Sequence, residues 1–535
     1  MKLSKLMIQK STILLGGSFL CLNQYISAQD QTVPPNILII MTDQHAFSAL
    51  GYSGNQVIKT PNLDKLAGQG VYFSQAATPC PVCVPARTSI LTGRLIETTK
   101  VRENRDIEKN DCYYYPTYDE ILSKAGYKSE YYGKFHSPES MARVYTNPPI
   151  KGLTGNGSIV RWESKYIDYL KENIKKRQLK PGELYETTFY KGIVPYKLDP
   201  IDRRYNYLPS GEIPENELKL KKLGQDDVHG VLDLPAEFTI TAVQASEAIE
   251  ALERIKNQRF ILTCSFLSPH VPITPSAPFA SMYKRSDIHT PESIHDNRIN
   301  SPYQPNPLES SYTDPDKVKF MAANYYAFVT EIDDWVGKIL GKLDDLKLAD
   351  NTLVVFVSDH GEMLGAHGMR GKFCFYEESI RVPLIMRYPG IIKAGLQISA
   401  PVSTLNIFPT LLDYVGLKNI PSDGYSLKPV IEGAAPKYDF SVSEWTWKNP
   451  NVPSLMIRTK NWKLLTTHRS GGKDVEALYD LKNDPNEMNN LLGSNPERFK
   501  YRGTVDELRS KLIGYLEDVN SPLTEGVKSR VLIRE

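Results

Sequence analysis

The chain has 535 residues, with 64 Lys+Arg against 62 Asp+Glu, 41% hydrophobic and 24% charged residues, the proportions of an ordinary globular protein. They exclude a disordered chain, a collagen-like repeat and a disulfide-dense miniature scaffold. The near-zero net charge carries no electrostatic footprint for nucleic acid, and the length predicts about two to four domains, or one large domain with a satellite.

Lys2, Lys5 and Lys10 precede a short apolar run over 12–22, and Ile26-Ser27-Ala28 follows it before Gln29-Asp30. A basic start, a brief apolar core and a small-residue cleavage site read as a secretory signal peptide over 1–28, which points to a secreted, periplasmic protein. The run is too short to span a bilayer, and no later stretch is long and apolar enough, so no membrane span is expected. Cleavage takes away three lysines and no acid, leaving 61 basic against 62 acidic residues and five cysteines: Cys80, Cys83, Cys112, Cys264 and Cys374. An odd count in an exported chain predicts one thiol with a fate other than a disulfide.

Residues 36–41 (NILIIM), 260–266 (FILTCSF) and 352–357 (TLVVFV) are continuous apolar runs, as buried parallel strands require. They stop at Asp43-Gln44, Ser268-Pro269-His270 and Asp359-His360. Helical periodicity over 237–255 and 317–343 lies between them, so the expected fold is α/β, a mostly parallel sheet covered by helices. Functional groups in such sheets collect beyond the carboxyl ends of the strands. The Tyr-, Lys- and Pro-rich stretch over about 137–235 reads as an insertion at the mouth of a site. A boundary near 433 ends a catalytic domain spanning 29–433. Behind it, 434–535 is expected to form a small α+β domain, with paired strands over 455–459 and 462–467 and a helix over 505–519.

The densest signal is Pro79-Cys80-Pro81-Val82-Cys83-Val84-Pro85-Ala86-Arg87, followed by Leu91-Thr92-Gly93-Arg94. Cys80 and Cys83 form a C-x-x-C pair, but a second thiol pair for zinc and a thioredoxin-sized βαβ unit are both missing. The segment resembles the signature of the formylglycine-dependent sulfatases (type I sulfatases) of the alkaline phosphatase superfamily, Cys-x-Pro-x-Arg with a Leu-Thr-Gly-Arg tail. The likeness continues in order through Asp43-Gln44, Tyr132-Gly133-Lys134-Phe135-His136, Ser268-Pro269-His270, Asp359-His360, Lys372, Arg381-Val382-Pro383 and Phe408-Pro409-Thr410. It covers residues 35 to about 420. Asp-Gln and Asp-His at the metal pairs, in place of Asp-Asp and Asp-Asn, resemble a branch holding choline sulfatases, phosphonate monoester hydrolases and some glycan sulfatases.

The resemblance implies an alkaline-phosphatase-like fold. It implies that Cys83 is the modified residue, oxidised to formylglycine by a separate maturation enzyme, whose hydrated form attacks sulfur and then expels sulfate by collapsing to the aldehyde. Asp43, Gln44, Asp359 and His360, together with residue 83, are the implied metal ligands. Hard oxygen donors make Ca²⁺ the expected ion, ahead of Mg²⁺, while His360 leaves room for Mn²⁺ or faces the sulfate. Arg87, Lys134 and Lys372 would place positive charge around developing anionic oxygens. His136 would deprotonate the second hydroxyl and His270 would protonate the leaving oxygen. His45 and His367 are either supports of these ligands or structural, and His229, His289, His295 and His468 default to the surface. The expected substrate is a sulfated saccharide, glycosaminoglycan or mucin-type, cut at a terminal sugar. Glu444-Trp445-Thr446-Trp447 suits either sugar stacking or packing. The competing readings are a phosphonate monoester or phosphodiester hydrolase and a catalytically silent glycan-binding relative.

Overall fold

A computed structural model of the chain describes residues 33–108, 115–145, 183–184, 231–232, 236–271, 273–276, 278–303, 310–446, 453–470 and 473–530. The expected signal peptide, most of the 137–235 insertion, Cys112 and Trp447 lie outside them. No helix among the described residues is long and apolar enough to cross a membrane.

Seven strands form the main sheet: β1 Asn36–Thr42, β2 Val71–Phe73, β3 Lys128–Gly133, β4 Phe260–Ser265, β5 Thr352–Ser358, β6 Leu384–Arg387 and β7 Leu396–Ile398. Their order is β7-β2-β6-β5-β1-β4-β3. β3, β4, β1 and β5 run parallel; β6 is antiparallel to both β5 and β2. β1 is apolar throughout because both its faces are covered. Ile37, Ile39 and Met41 enter one core, while Leu38 and Ile40 enter another with the helices α2 Ile240–Ile255 and α3 Pro315–Asp345. The first core also takes Val84, Ile90 and Leu91 of α1, Cys83–Thr92. Thr239 caps α2 by accepting from the Ala242 amide, and Asp314 caps α3 ahead of its first-turn proline; such caps satisfy amides the helix itself cannot.

The second sheet is an antiparallel meander of β8 Phe440–Trp445, β9 Ser454–Thr459, β10 Trp462–Ser470 and β11 Lys473–Asp480. One of its faces packs Val442, Leu455 and Leu464 on α4, Arg502–Asp518. The other buries Trp445, Met456 and Leu465 against Val82, Met363 and Phe375 of the main-sheet layer. Residues Pro35–Glu535 accordingly cluster as one compact unit, in which the two sheets share a core. Trp445, 3% exposed and edge-on to Phe375, is a packing residue.

A buried ion network fastens the two layers. Arg458 of β9 grips both oxygens of Glu377 at 2.8 and 2.9 Å, and Lys463 of β10 reaches Glu377 at 2.9 Å and Glu487 at 2.7 Å. Lys463→Met removes one cation from between two buried carboxylates. It is expected to cost about 3–5 kcal/mol, read as a lowered urea midpoint.

Glu444 of β8 accepts the Glu97 amide at 3.0 Å through Oε2, while Oε1 is buried with no partner. Burial, aided by the Glu97 charge and opposed by the Glu97 amide bond, pushes this carboxyl up to about 8 from an ordinary 4.5. The fold therefore holds a proton that the unfolded chain releases, and stability declines as pH rises from about 4.5 to about 8. Thermal unfolding of Glu444→Gln at about pH 5 and about pH 8 is expected to show a smaller fall than wild type.

Candidate active site

Parallel register builds the site. Thr42 of β1 is level with Ser358 of β5, so Asp43-Gln44 and Asp359-His360 leave the sheet side by side. Gly133 of β3 is level with Ser265 of β4, which brings Lys134-Phe135-His136 beside the turn that carries His270. Cys83 is the first residue of α1, behind Val82 in extended conformation. There the Val84 amide donates to Asn104 Oδ1 at 3.1 Å, and Pro85 has no amide to satisfy. Arg87 lies one turn on, on the same face as Cys83.

Cys83 Sγ lies 3.1 Å from His360 Nε2, 3.0 Å from Lys372 Nζ and 3.9 Å from Asp43 Oδ1. Burial and Asp43 push the thiol up, but Lys134, Lys372 and His360 outweigh them and hold it at about 7. Burial would raise Asp43 too; Lys134, His270, Lys372 and Arg87 instead keep it well below the usual carboxylate range. Lys134 bonds Asp43 directly, and Lys372 also donates to Gln44 Oε1 at 2.9 Å.

His136 is 3% exposed, and neither ring nitrogen has a partner. Burial and then Lys134 hold it well below the ordinary imidazole value. Its φ of 42°, like the 64° of Gln44, lies in the left-handed region, a cost that clusters at functional sites. His270 is partly exposed. Its Nδ1 bonds the Val271 carbonyl at 2.8 Å, leaving Nε2 as the free nitrogen, and burial and Lys372 lower it strongly.

Arg87 makes four polar contacts inside the site. Its Nε meets Asp359 at 2.7 Å, Nη2 meets Asp43 at 3.3 Å, and Nη1 serves the Lys134 carbonyl at 2.9 Å and Ser265 Oγ at 2.8 Å. At 1% exposure it is fully committed to protein groups. It braces the two carboxylates, and Cys83 is among the groups whose charge acts on it.

Other groups escaped the sequence reading. Glu362 holds the Gln44 amide nitrogen and accepts the Gly371 amide at 2.6 Å. The Tyr325 hydroxyl donates to the Gln44 carbonyl at 2.6 Å and accepts the Ala46 amide at 2.9 Å. Glu362 follows Asp359-His360 closely enough to have been found; Tyr325, inside α3, carries no local signal. His45 bonds the Ala49 carbonyl at 2.9 Å, and His367 bonds Asp296 at 2.7 Å and stacks on Tyr376, so both are structural. His289 and His295 are exposed. Cys80, Cys83, Cys264 and Cys374 are free and buried. Burial and Glu444 push the Cys80 thiol well up, which disfavours a redox pair with Cys83.

The donor atoms of Asp43, Cys83, Asp359 and His360 are buried within 4.8 Å of one another. His360 Nδ1 is tied to the Gly361 carbonyl at 3.0 Å, so Nε2 turns its lone pair inward. Carboxylate oxygens with one imidazole suit a divalent cation, and the residues present fit one.

The mostly parallel sheet flanked by helices, with its antiparallel C-terminal sheet, is an alkaline-phosphatase-like fold. The family model described as Sulfatase matches residues 35–417, and that described as N-sulphoglucosamine sulphohydrolase, C-terminal, matches 365–517. The chain belongs to the sulfatase family, and with it to the sulfuric ester hydrolases. It is 31% identical over 515 residues to an ulvan-active sulfatase of Formosa agariphila, covering 92% of this chain and 84% of that protein. It is 28% identical over 518 residues to an N-acetylglucosamine-6-O-sulfatase of Bacteroides thetaiotaomicron, covering 90% and 87%. A protein solved with its substrate D-glucosamine-2-N,6-O-disulfate shares the fold at TM-score 0.65 and 22% identity, over 93% of this chain and all of that one. The phosphonate monoester hydrolase of Agrobacterium radiobacter does so at 0.69 and 23%, over 90% and 96%.

Proposed function

We propose that this chain is exported through its first 28 residues and hydrolyses sulfate monoesters at terminal sugars of sulfated glycans, with Cys83 matured to formylglycine and Ca²⁺ bound beside it. The observation that carries this reading is the placement of residue 83 at a helix N-terminus, within 3.1 Å of His360 and 3.0 Å of Lys372 and against Asp43. The ulvan-active and N-acetylglucosamine-6-O-sulfatase relatives support a saccharide as the alcohol half.

Asp43, Gln44, Asp359 and His360 would hold the cation, which supplies Lewis-acid polarisation of a sulfate oxygen. Formylglycine supplies an oxygen nucleophile that can later release sulfate without a second attack by water. Lys372 and Lys134 fix positive charge where the sulfate oxygens gain charge. His136, neutral and unpartnered, takes a proton from the nucleophilic residue. His270 Nε2 gains proton affinity when the anionic ester binds and gives that proton to the leaving oxygen.

Paired sulfate, phosphate and phosphonate esters of one alcohol, followed by a panel of sulfated mono- and disaccharides, test the reading. Preferred turnover of the sulfates is expected. Preferred turnover of the phosphonate or phosphodiester would hand the scaffold to the competing hydrolase activity.

A further inference from the structure

Lys372 lies between two left-handed residues, Gly371 at φ 81° and Phe373 at φ 73°. Glycine takes that conformation freely, whereas a bulky side chain there is an outlier. The segment is pinned on both sides. The Gly371 amide donates to Glu362 at 2.6 Å, the Gly371 carbonyl accepts the Met363 amide at 2.9 Å, and the Phe375 amide donates to the Tyr303 hydroxyl at 2.7 Å. The strain at Phe373 is thus imposed by the segment that aims Lys372 at Cys83.

Phe373 recovers little through burial. It is 41% exposed, while Phe375 is 1% and Trp445 3% exposed. Its ring leans on Trp445 with centroids 6.2 Å apart and planes 33° from parallel, and Lys372 Nζ lies 6.0 Å from its centroid. Folding alone favours glycine or asparagine at this φ and a polar side chain at this exposure. The protein has instead a strained, open aromatic ring, one residue from the ammonium that touches residue 83.

We infer that Phe373 is the platform on which the alcohol half of the ester rests: the apolar face of a pyranose ring whose sulfate lies between Cys83 and Lys372. This rests on the sulfatase reading. An ester anchored there sends its alcohol outward past Lys372, and an aromatic ring beside that path stacks on carbon-bound hydrogens without demanding a particular hydroxyl pattern. Phe373 is therefore a specificity residue that favours saccharides over small alcohols.

Phe373→Gly, or Phe373→Asn, separates the two roles of the ring. Relief of the left-handed strain is expected to raise Tm, while KM for a sulfated monosaccharide rises about tenfold, as loss of one stacked ring implies. Across the same variants kcat should stay within about twofold, as loss of uniform binding predicts. KM for a small alkyl sulfate should rise far less, and Phe373→Trp should restore saccharide affinity. Calorimetry on Cys83→Ala, with and without Phe373→Gly, reads binding without turnover: the saccharide sulfate should weaken about tenfold and inorganic sulfate should hold. A binding split without turnover of any sulfate ester would sink the sulfatase reading and keep the platform. Turnover with equal losses on both esters, or a lower Tm with unchanged saccharide KM, returns Phe373 to packing on Trp445 and overturns the inference.

Discussion

Cys83→Ala is expected to lower kcat for a sulfate ester by roughly four to six orders of magnitude, while changing unfolding free energy by about 1 kcal/mol or less. The asymmetry follows from the surroundings of the thiol. Its neighbours Asp43, Lys134, Lys372 and His360 keep partners among themselves when it goes, through Lys134 on Asp43 and Lys372 on Gln44 and His360. The fold is spared because only a small side chain is removed. A steady-state assay and a urea titration measure the two halves. Mass spectrometry of the tryptic peptide containing residue 83 completes the test: active wild-type protein should carry the aldehyde at that position. Full activity with an unaltered thiol would refute both the formylglycine assignment and the maturation enzyme it requires, and an unaltered thiol in inactive protein would favour the glycan-binding relative.

Arg87→Gln should damage stability and metal affinity together. The guanidinium is shared between Asp359 at 2.7 Å and Asp43 at 3.3 Å, at 1% exposure. Leaving buried Asp359 without its cation, while Lys134 alone still pairs with Asp43, is expected to cost about 3–5 kcal/mol in protein freed of divalent cations. Added Ca²⁺ should recover part of that loss, because it supplies the missing positive charge. Ca²⁺ affinity should nevertheless fall about 10- to 100-fold, since the carboxylates are no longer held in register. Arg87→Lys keeps the charge and loses the fork, so it should fall between the two. Urea unfolding with and without chelator, together with calorimetric Ca²⁺ titration, reads each quantity. A variant as stable and as calcium-avid as wild type would show that Arg87 does not brace the ligands.

The legible parts of the fold were those with a one-dimensional signature. β1, β4 and β5 are covered on both faces, so their sequences are unbroken apolar runs. β3 gave no such signal: as the edge strand it begins Lys128-Ser129-Glu130, and buried Glu130 is answered by Arg254 of α2 at 2.5 Å. β2 and β7, three residues each, are too short to display a period. At the site, the nearness of Cys83, Lys134, Asp43-Gln44 and Asp359-His360 was legible because they follow strand ends or a fixed spacing. Ser265 and Tyr325 were not, since each acts through a partner far away in the chain: Arg87 for the first, Gln44 for the second. For Arg87, spacing reports which face of a helix the residue occupies and not that Asp359, Asp43, Ser265 and the Lys134 carbonyl hold its nitrogens.

The pairing of β1 with β5 joins residues that are far apart along the chain, and Cys83 meets His360 across 277 positions. At about 5–20 residues per second, the ribosome needs roughly 14 to 55 seconds to travel that distance. Through that interval the thiol has emerged while the strand that will seal it has not been made. Any catalyst that must reach residue 83 has a head start fixed by gene order, because in the assembled molecule Cys83 is 1% exposed.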